Sequence, residues 1–155
     1  MGSRLHFESF IKESYKILSQ LDLLISNSGM NKLQQGLIKI RTSQINNCDF
    51  CTALHTYDAI KHGEDPQRIS LLSSWRDGKK WFSREEQLIL ALLEEVTTIS
   101  GHGLSSEIYN TALDTFGKEK TGKLIIAVAN INGWNRIAVS AKKSLFEFSG
   151  IIAMR

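Results

Sequence analysis

Apolar residues along this chain recur every three or four positions far more often than every second one, which is the spacing of one helix face and not of a strand. From Phe7 to about Ser26, Phe10, Ile11, Ile17, Leu18, Leu21 and Leu24 keep near-helical spacing, and Ser26-Asn27-Ser28-Gly29 ends the run. A second helix is expected over Lys32 to Ile45, with Leu33, Leu37, Ile40 and Ile45 as core contacts. A third opens at Cys48 and should end near His62-Gly63. Asp65-Pro66 then starts a short helix through Leu71 and Leu72, because proline suits a first turn.

Ser83-Arg84-Glu85-Glu86 is a capping-box pattern that launches a helix through Leu88 to Thr98. The six apolar residues from Leu88 to Leu93 leave it no polar side, so it should be central. Gly101-His102-Gly103 breaks it. Ser105 can cap another helix through Tyr109, Leu113 and Phe116, closed by Gly117, and a last long helix runs from Lys118 past Ile137 despite Gly122 and Gly133. With one proline, Pro66, and little apolar alternation, the expectation is a single all-α domain over residues 1–155. It should be a bundle of about six to eight helices, without repeat, low-complexity tract or linker.

Composition narrows the picture a little. A chain of 155 residues that is 42% hydrophobic and 23% charged has the length and balance of one soluble domain with a real core. The net charge of +3 is weak and the lysines are scattered, so nucleic acid is not an expected partner. Met1-Gly2-Ser3-Arg4-Leu5-His6 lacks the apolar segment of a signal peptide, and no run approaches the roughly 18 apolar residues of a membrane span. A cytoplasmic location follows as the expectation.

Chemistry concentrates in one short stretch. The chain's two cysteines, Cys48 and Cys51, stand with His55 at spacings of three and four, which at about 100° per residue puts all three on one helix face. A helix N-terminus or a nearby imidazolium lowers a thiol's pKa and turns cysteine into a nucleophile. Cα atoms three apart on a helix also lie within disulfide range. If Cys51 is oxidised to a sulfenic acid, Cys48 can condense with it and release water, which averts irreversible over-oxidation. Three other readings stand beside this one. The trio can be zinc ligands with His6, His62 or His102 as a fourth, or buried small hydrophobes with a satisfied histidine, or a permanent structural disulfide.

The stretch Leu37-Ile38-Lys39-Ile40-Arg41-Thr42-Ser43-Gln44-Ile45-Asn46-Asn47-Cys48, continuing through Cys51 to His55, resembles the alkylhydroperoxidase D-like branch of the carboxymuconolactone decarboxylase superfamily. Later landmarks follow in the same order: Asp58-Ala59, Gly63-Glu64, Trp75-Arg76, Trp81-Phe82, Glu94-Glu95-Val96-Thr97 and Ile131-Asn132-Gly133-Trp134-Asn135-Arg136. The resemblance covers roughly residues 37 to 140. It implies an all-helical homo-oligomer, a trimer or hexamer in several members, that reduces hydroperoxides at the expense of a dithiol protein or small thiol. It implies no metal, haem, flavin or nucleotide cofactor. By resemblance Cys51 attacks the peroxide, Cys48 resolves, and His55 assists proton transfer.

One departure bears on the mechanism. The family's best-known peroxidases carry a relay glutamate twelve residues before the first cysteine, and Gly36 stands there in this chain. A carboxylate must then come from elsewhere. Glu94 is the candidate by resemblance, with burial expected to raise its pKa, and Glu95 is its rival because it shares a stripe with Leu88, Leu92 and Ile99. Asn132, Trp134, Asn135 and Arg136 are read first as structural, Arg136 pairing with a carboxylate such as Glu94, and second as lining the mouth of the site. Trp75 and Trp81 read as packing residues or subunit contacts, and His6, His62 and His102 as solvent-facing or capping. Two competing functions remain open: a decarboxylase acting on a lactone acid, which needs no thiol pair, and a non-enzymatic redox-sensing or zinc-holding oligomer.

Overall fold

The computed structural model describes residues 11–153. Among them are seven α-helices and no strand: α1 (Lys12–Ser26), α2 (Lys32–Ile45), α3 (Asp49–Lys61), α4 (Pro66–Leu71), α5 (Arg84–Thr97), α6 (Ser106–Ser140) and α7 (Leu145–Ala153). Two single 3₁₀ turns, Leu72–Ser74 and Lys79–Trp81, join α4 to α5. The all-α expectation holds. Phe7 and Phe10, expected at the start of the first helix, and His6 lie outside the described residues.

Local chemistry sets most of the boundaries. Asn31 caps α2 by accepting from the Leu33 N–H, and Asp65 caps α4 by accepting from the Gln67 N–H with Pro66 in the first turn. At α5 the capping box is complete, Ser83 accepting from the Glu86 N–H while the Glu86 carboxylate accepts from the Ser83 N–H. Gly117, at φ +75°, turns the chain inside α6 in a conformation other residues avoid, and thereby ends the segment that Ser105 caps.

The core forms where α2, α5 and α6 meet. Leu37, Ile38 and Ile40 of α2, Ile89, Leu90, Leu92 and Leu93 of α5, and Leu124, Val128 and Ile131 of α6 are buried almost completely. The run from Leu88 to Leu93 is central, as its lack of a polar side requires. Gly36 matters to this arrangement. A Cβ added there would meet the Ala59 Cβ at 3.1 Å, so the glycine lets α2 lie close against α3.

α7 is an addition to the expected set. It packs on α3, where Phe148 meets Tyr57 edge to face with ring centroids 6.4 Å apart. The break before it is made without glycine or proline: Ala141 ends α6, and Lys142 takes a left-handed conformation at φ +54°. No described helix is long and apolar enough to cross a membrane.

Candidate functional site

The site begins at the corner between α2 and α3. Asn46 ends α2, Asn47 adopts φ +52°, a conformation asparagine tolerates better than most residues, and the chain re-enters a helix at once. Cys48 is the N-cap of α3: its sulfur accepts from the Cys51 N–H at 3.3 Å, and its own N–H donates to the Ser43 carbonyl at 3.0 Å. The trio therefore does not lie wholly within one helix. Cys51 and His55 ride on α3 while Cys48 precedes it. The two sulfurs are joined as a disulfide, with Cα atoms 5.2 Å apart, and both cysteines are buried.

Buried amides fix that corner to α6. The Asn46 Nδ2 donates to Asn132 Oδ1 at 2.9 Å and to Asn135 Oδ1 at 3.0 Å, and Asn135 Nδ2 donates to Ser43 Oγ at 3.0 Å. Asn132 in turn donates to Thr97 Oγ1 and to the Val128 carbonyl, and Arg136 donates to Asn132 rather than to a carboxylate of α5. Asn135 is fully buried, where an unpaired amide would be costly, so the closed network specifies one seating of the corner. The structural reading of Asn132 and Asn135 stands, and it has an object: both hold the segment that presents Cys48.

Cys51 borders a cavity of about 350 Å³ together with His55, and Cys48 is not in its wall. Phe50, Leu54, Ile137 and Ala138 give it an apolar lining, and Tyr15 and Trp134 close one side, edge to face with centroids 4.8 Å apart. Trp134 thus belongs to the site's wall. Lys143 lies 5.3 Å from the Phe50 ring centroid, and Asp22 and Ser19 of α1 complete the polar part of the lining. Sequence reasoning missed Tyr15, Asp22 and Lys143. No local pattern marks them, because α1 and the end of α6 reach the cysteines only through the tertiary fold.

Glu94 lies elsewhere, which corrects the expectation placed on it. It is absent from the cavity wall, and Arg41 Nε at 2.9 Å and Nη2 at 2.8 Å, Trp75 Nε1 at 3.0 Å and Arg76 all bind its carboxylate. Burial pushes this carboxyl up, but the hydrogen bonds from Arg76, Trp75 and Arg41, with the Arg41 charge, outweigh it and hold the group below the ordinary glutamate value. The expected rise toward neutrality is reversed by two guanidiniums that the sequence did not assign to it. Glu95 accepts from the Ser105 N–H at 2.7 Å and so secures the start of α6. Trp75 is buried and Trp81 packs against the core, which makes both packing residues.

His62 caps the end of α3 beside the Asp58 carbonyl, and His102 sits exposed in the loop before α6. Among the described residues no three of His, Cys, Asp and Glu gather as a metal-ion ligand set.

Comparison with known proteins agrees with this architecture. The model of the carboxymuconolactone decarboxylase family matches residues 13–94. The uncharacterized protein YdfG of Bacillus subtilis strain 168 is 34% identical over 140 residues, covering 90% of this chain and 95% of that protein. A crystal structure from Agrobacterium tumefaciens, of a protein of unknown function provisionally assigned as an antioxidant defence protein, AhpD, shares 30% identity at a TM-score of 0.88, over 92% of this chain and 97% of that one. With the ordered landmarks from Leu37 to Arg136 and a helical fold shared almost end to end, the chain belongs to the carboxymuconolactone decarboxylase family, in its alkylhydroperoxidase D-like branch.

Proposed function

We propose that this protein is a thiol-dependent peroxidase that reduces hydroperoxides through Cys51 and Cys48. The observation that carries the reading is the Cys48–Cys51 disulfide beside a cavity that Cys51 and His55 both border. In the reduced protein the Cys51 thiolate attacks the terminal oxygen of the peroxide. The S–O bond forms, the O–O bond breaks, and the departing oxygen takes a proton from His55 to leave as an alcohol or as water. Cys48, as thiolate, then attacks the Cys51 sulfur of the sulfenic acid, forming the disulfide and releasing hydroxide, which leaves as water once protonated. A dithiol protein or small thiol reduces the disulfide and returns both thiols.

The two sulfurs differ in ways that suit these roles. Cys51 borders the cavity, whereas Cys48 sits behind it at a helix N-terminus, where the Cys51 N–H and the helix dipole stabilise a thiolate. That makes Cys48 both a ready resolving nucleophile and a good leaving group when the disulfide is reopened. The same reading takes the whole chain as one domain, places it in a reducing cytoplasm and makes it a homo-oligomer. Exposed Leu24 of α1 and Ile126 of α6, which border a shared apolar groove, offer one surface for association.

The test counts thiols. Fully reduced protein given one equivalent of an organic hydroperoxide should lose two thiols per chain, hold no zinc, and recover both thiols with excess dithiol. Retention of both thiols under these conditions removes the peroxidase and leaves the decarboxylase reading, and about one zinc per chain favours the metal-holding oligomer.

A further inference from the structure

α1 is fastened unevenly. In its second half Ile25 is buried in the core and Leu21 packs against it, while Asp22 meets Lys39 Nζ at 3.0 Å and accepts from Asn130 Nδ2 at 3.3 Å. The turn that follows is tied down as well, Lys123 donating to the Ser28 carbonyl at 3.0 Å and Gln35 to the Ser26 carbonyl at 3.4 Å. The first half is different. From Lys12 to Gln20 every side chain but Tyr15 and Leu18 is exposed, no side chain caps the helix start, and the Ser19 hydroxyl donates to the Tyr15 carbonyl of its own helix.

That half lies over the chemistry. Tyr15 and Ser19 border the cavity that Cys51 and His55 share, and the Tyr15 ring meets Trp134 of α6 edge to face at 4.8 Å. The contact that closes one side of the cavity therefore belongs to the less buried end of the helix. Segments with few buried contacts open locally while the rest of a domain stays folded. Here Asp22, with Lys39 and Asn130 on it, marks the point where such an opening stops.

Size gives the opening a purpose. Cys48 and Cys51 are only 3% and 4% exposed, and the space that Cys51 borders is about 350 Å³. A small thiol has room there, since pockets of about 300–1,000 Å³ hold whole small molecules. A dithiol carried on the surface of a protein does not, because the folded body behind it stops at the rim.

Resting on the peroxidase reading, we propose that the first half of α1 is a gate, latched by Tyr15 on Trp134 and hinged at Asp22, that opens for a protein dithiol to reduce the Cys48–Cys51 disulfide. With the gate open, a thiolate of the partner attacks the Cys51 sulfur. A new S–S bond forms to Cys51, the Cys48–Cys51 bond breaks, and its electron pair leaves on Cys48, held by the Cys51 N–H. The partner's second thiolate then attacks the partner's own bridged sulfur, which releases Cys51 as thiolate and leaves the partner oxidised to a disulfide. Peroxides and small thiols enter the closed cavity. The gate thus selects the reductant by size and leaves the peroxide step untouched.

The test reads exchange and reduction separately. Hydrogen exchange of the oxidised full chain should show the amides of Lys16 to Ser19 exchanging at least about tenfold faster than those of Leu23 to Ile25. An edge-to-face pair shifts an equilibrium by about two- to twelvefold. Tyr15→Ala should therefore speed both exchange at Lys16 to Ser19 and reduction by thioredoxin, used as the protein dithiol, by about tenfold, and leave reduction by dithiothreitol within about twofold. Ile17→Ala, on the outward face at 62% exposed, should change neither rate. Equal protection along wild-type α1 overturns the proposal whether or not the variants fold, as does acceleration of both reductants by the same factor in Tyr15→Ala, or of neither. Both measurements are made without peroxide. A wild-type protein that meets these expectations but ignores hydroperoxide keeps the gate and loses the peroxidase reading, whereas one that turns over peroxide with an evenly protected α1 loses the gate alone.

Discussion

Cys51 and Cys48 stand three positions apart and in two environments. Cys51 borders the cavity, and the Cys48 sulfur is seated at the helix cap, where it accepts from the Cys51 N–H. If the roles follow those environments, the two serine substitutions should behave differently. Cys51→Ser leaves no group at the cavity able to attack a peroxide, so turnover should fall to background and no sulfenic acid should form. Cys48→Ser should still take up one oxygen and then stall, giving a sulfenic acid that a dimedone-type reagent captures and mass spectrometry locates on Cys51. Equal and mild losses from the two substitutions would contradict the assignment. The pair itself was legible in the sequence, because spacing alone brings residues 48, 51 and 55 together. Asp22 and Tyr15 were not, because their relation to the cysteines exists only after α1 has packed on α6.

At the scale of elements, the corner between α2 and α3 shows how buried amides do the work of a longer connection. Only Asn46, Asn47 and Cys48 separate the two helices, and Asn132 and Asn135 reach across from α6 to hold Asn46 in place. Asn135→Ala removes the partner of both Ser43 Oγ and Asn46 Nδ2 and leaves a void in a fully buried position. Urea unfolding should show a loss of about 2–3 kcal/mol, against less than about 0.5 kcal/mol for Asn110→Ala on an exposed turn of α6. Comparable effects from the two would mean that the amide network does not bear on stability. Helices with strong punctuation were readable in advance: α2 spans the expected Lys32 to Ile45, and the capping box fixes the start of α5. α7 was missed although Ser144 and Glu147 repeat the same pattern, with the Glu147 N–H 3.4 Å from Ser144 Oγ and the Ser144 N–H 3.4 Å from Glu147 Oε1. The left-handed Lys142 hid the preceding break, since a lysine there carries no turn signal.

Across the whole molecule, the segment joining α3 to α5, which contains α4 and the two 3₁₀ turns, is tied down by two ionic clusters. In one, Arg68 binds Glu64 at 2.8 Å and Glu86 at 2.6 Å and donates to the Trp81 carbonyl. In the other, Glu94 ties Arg76 and Trp75 of that segment to Arg41 of α2. Glu94 and Arg41 are only 15% and 17% exposed at their side chains, so removing the carboxylate strands a guanidinium in a poorly solvated place. Glu94→Gln should therefore cost about 3 kcal/mol at pH 7. The sign of the pH dependence follows from the lowered pKa of Glu94. A carboxyl whose folded value lies below its unfolded value of about 4.3 contributes fully above that unfolded value, and the contribution disappears as pH falls through the folded one. Urea unfolding at pH 7, pH 5 and pH 3 should accordingly show the gap between wild type and Glu94→Gln nearly constant over the first two and narrowed at the third. A gap that persists unchanged at pH 3 would mean that the carboxylate charge is not what holds the segment, and that shape and neutral hydrogen bonds at Trp75 suffice.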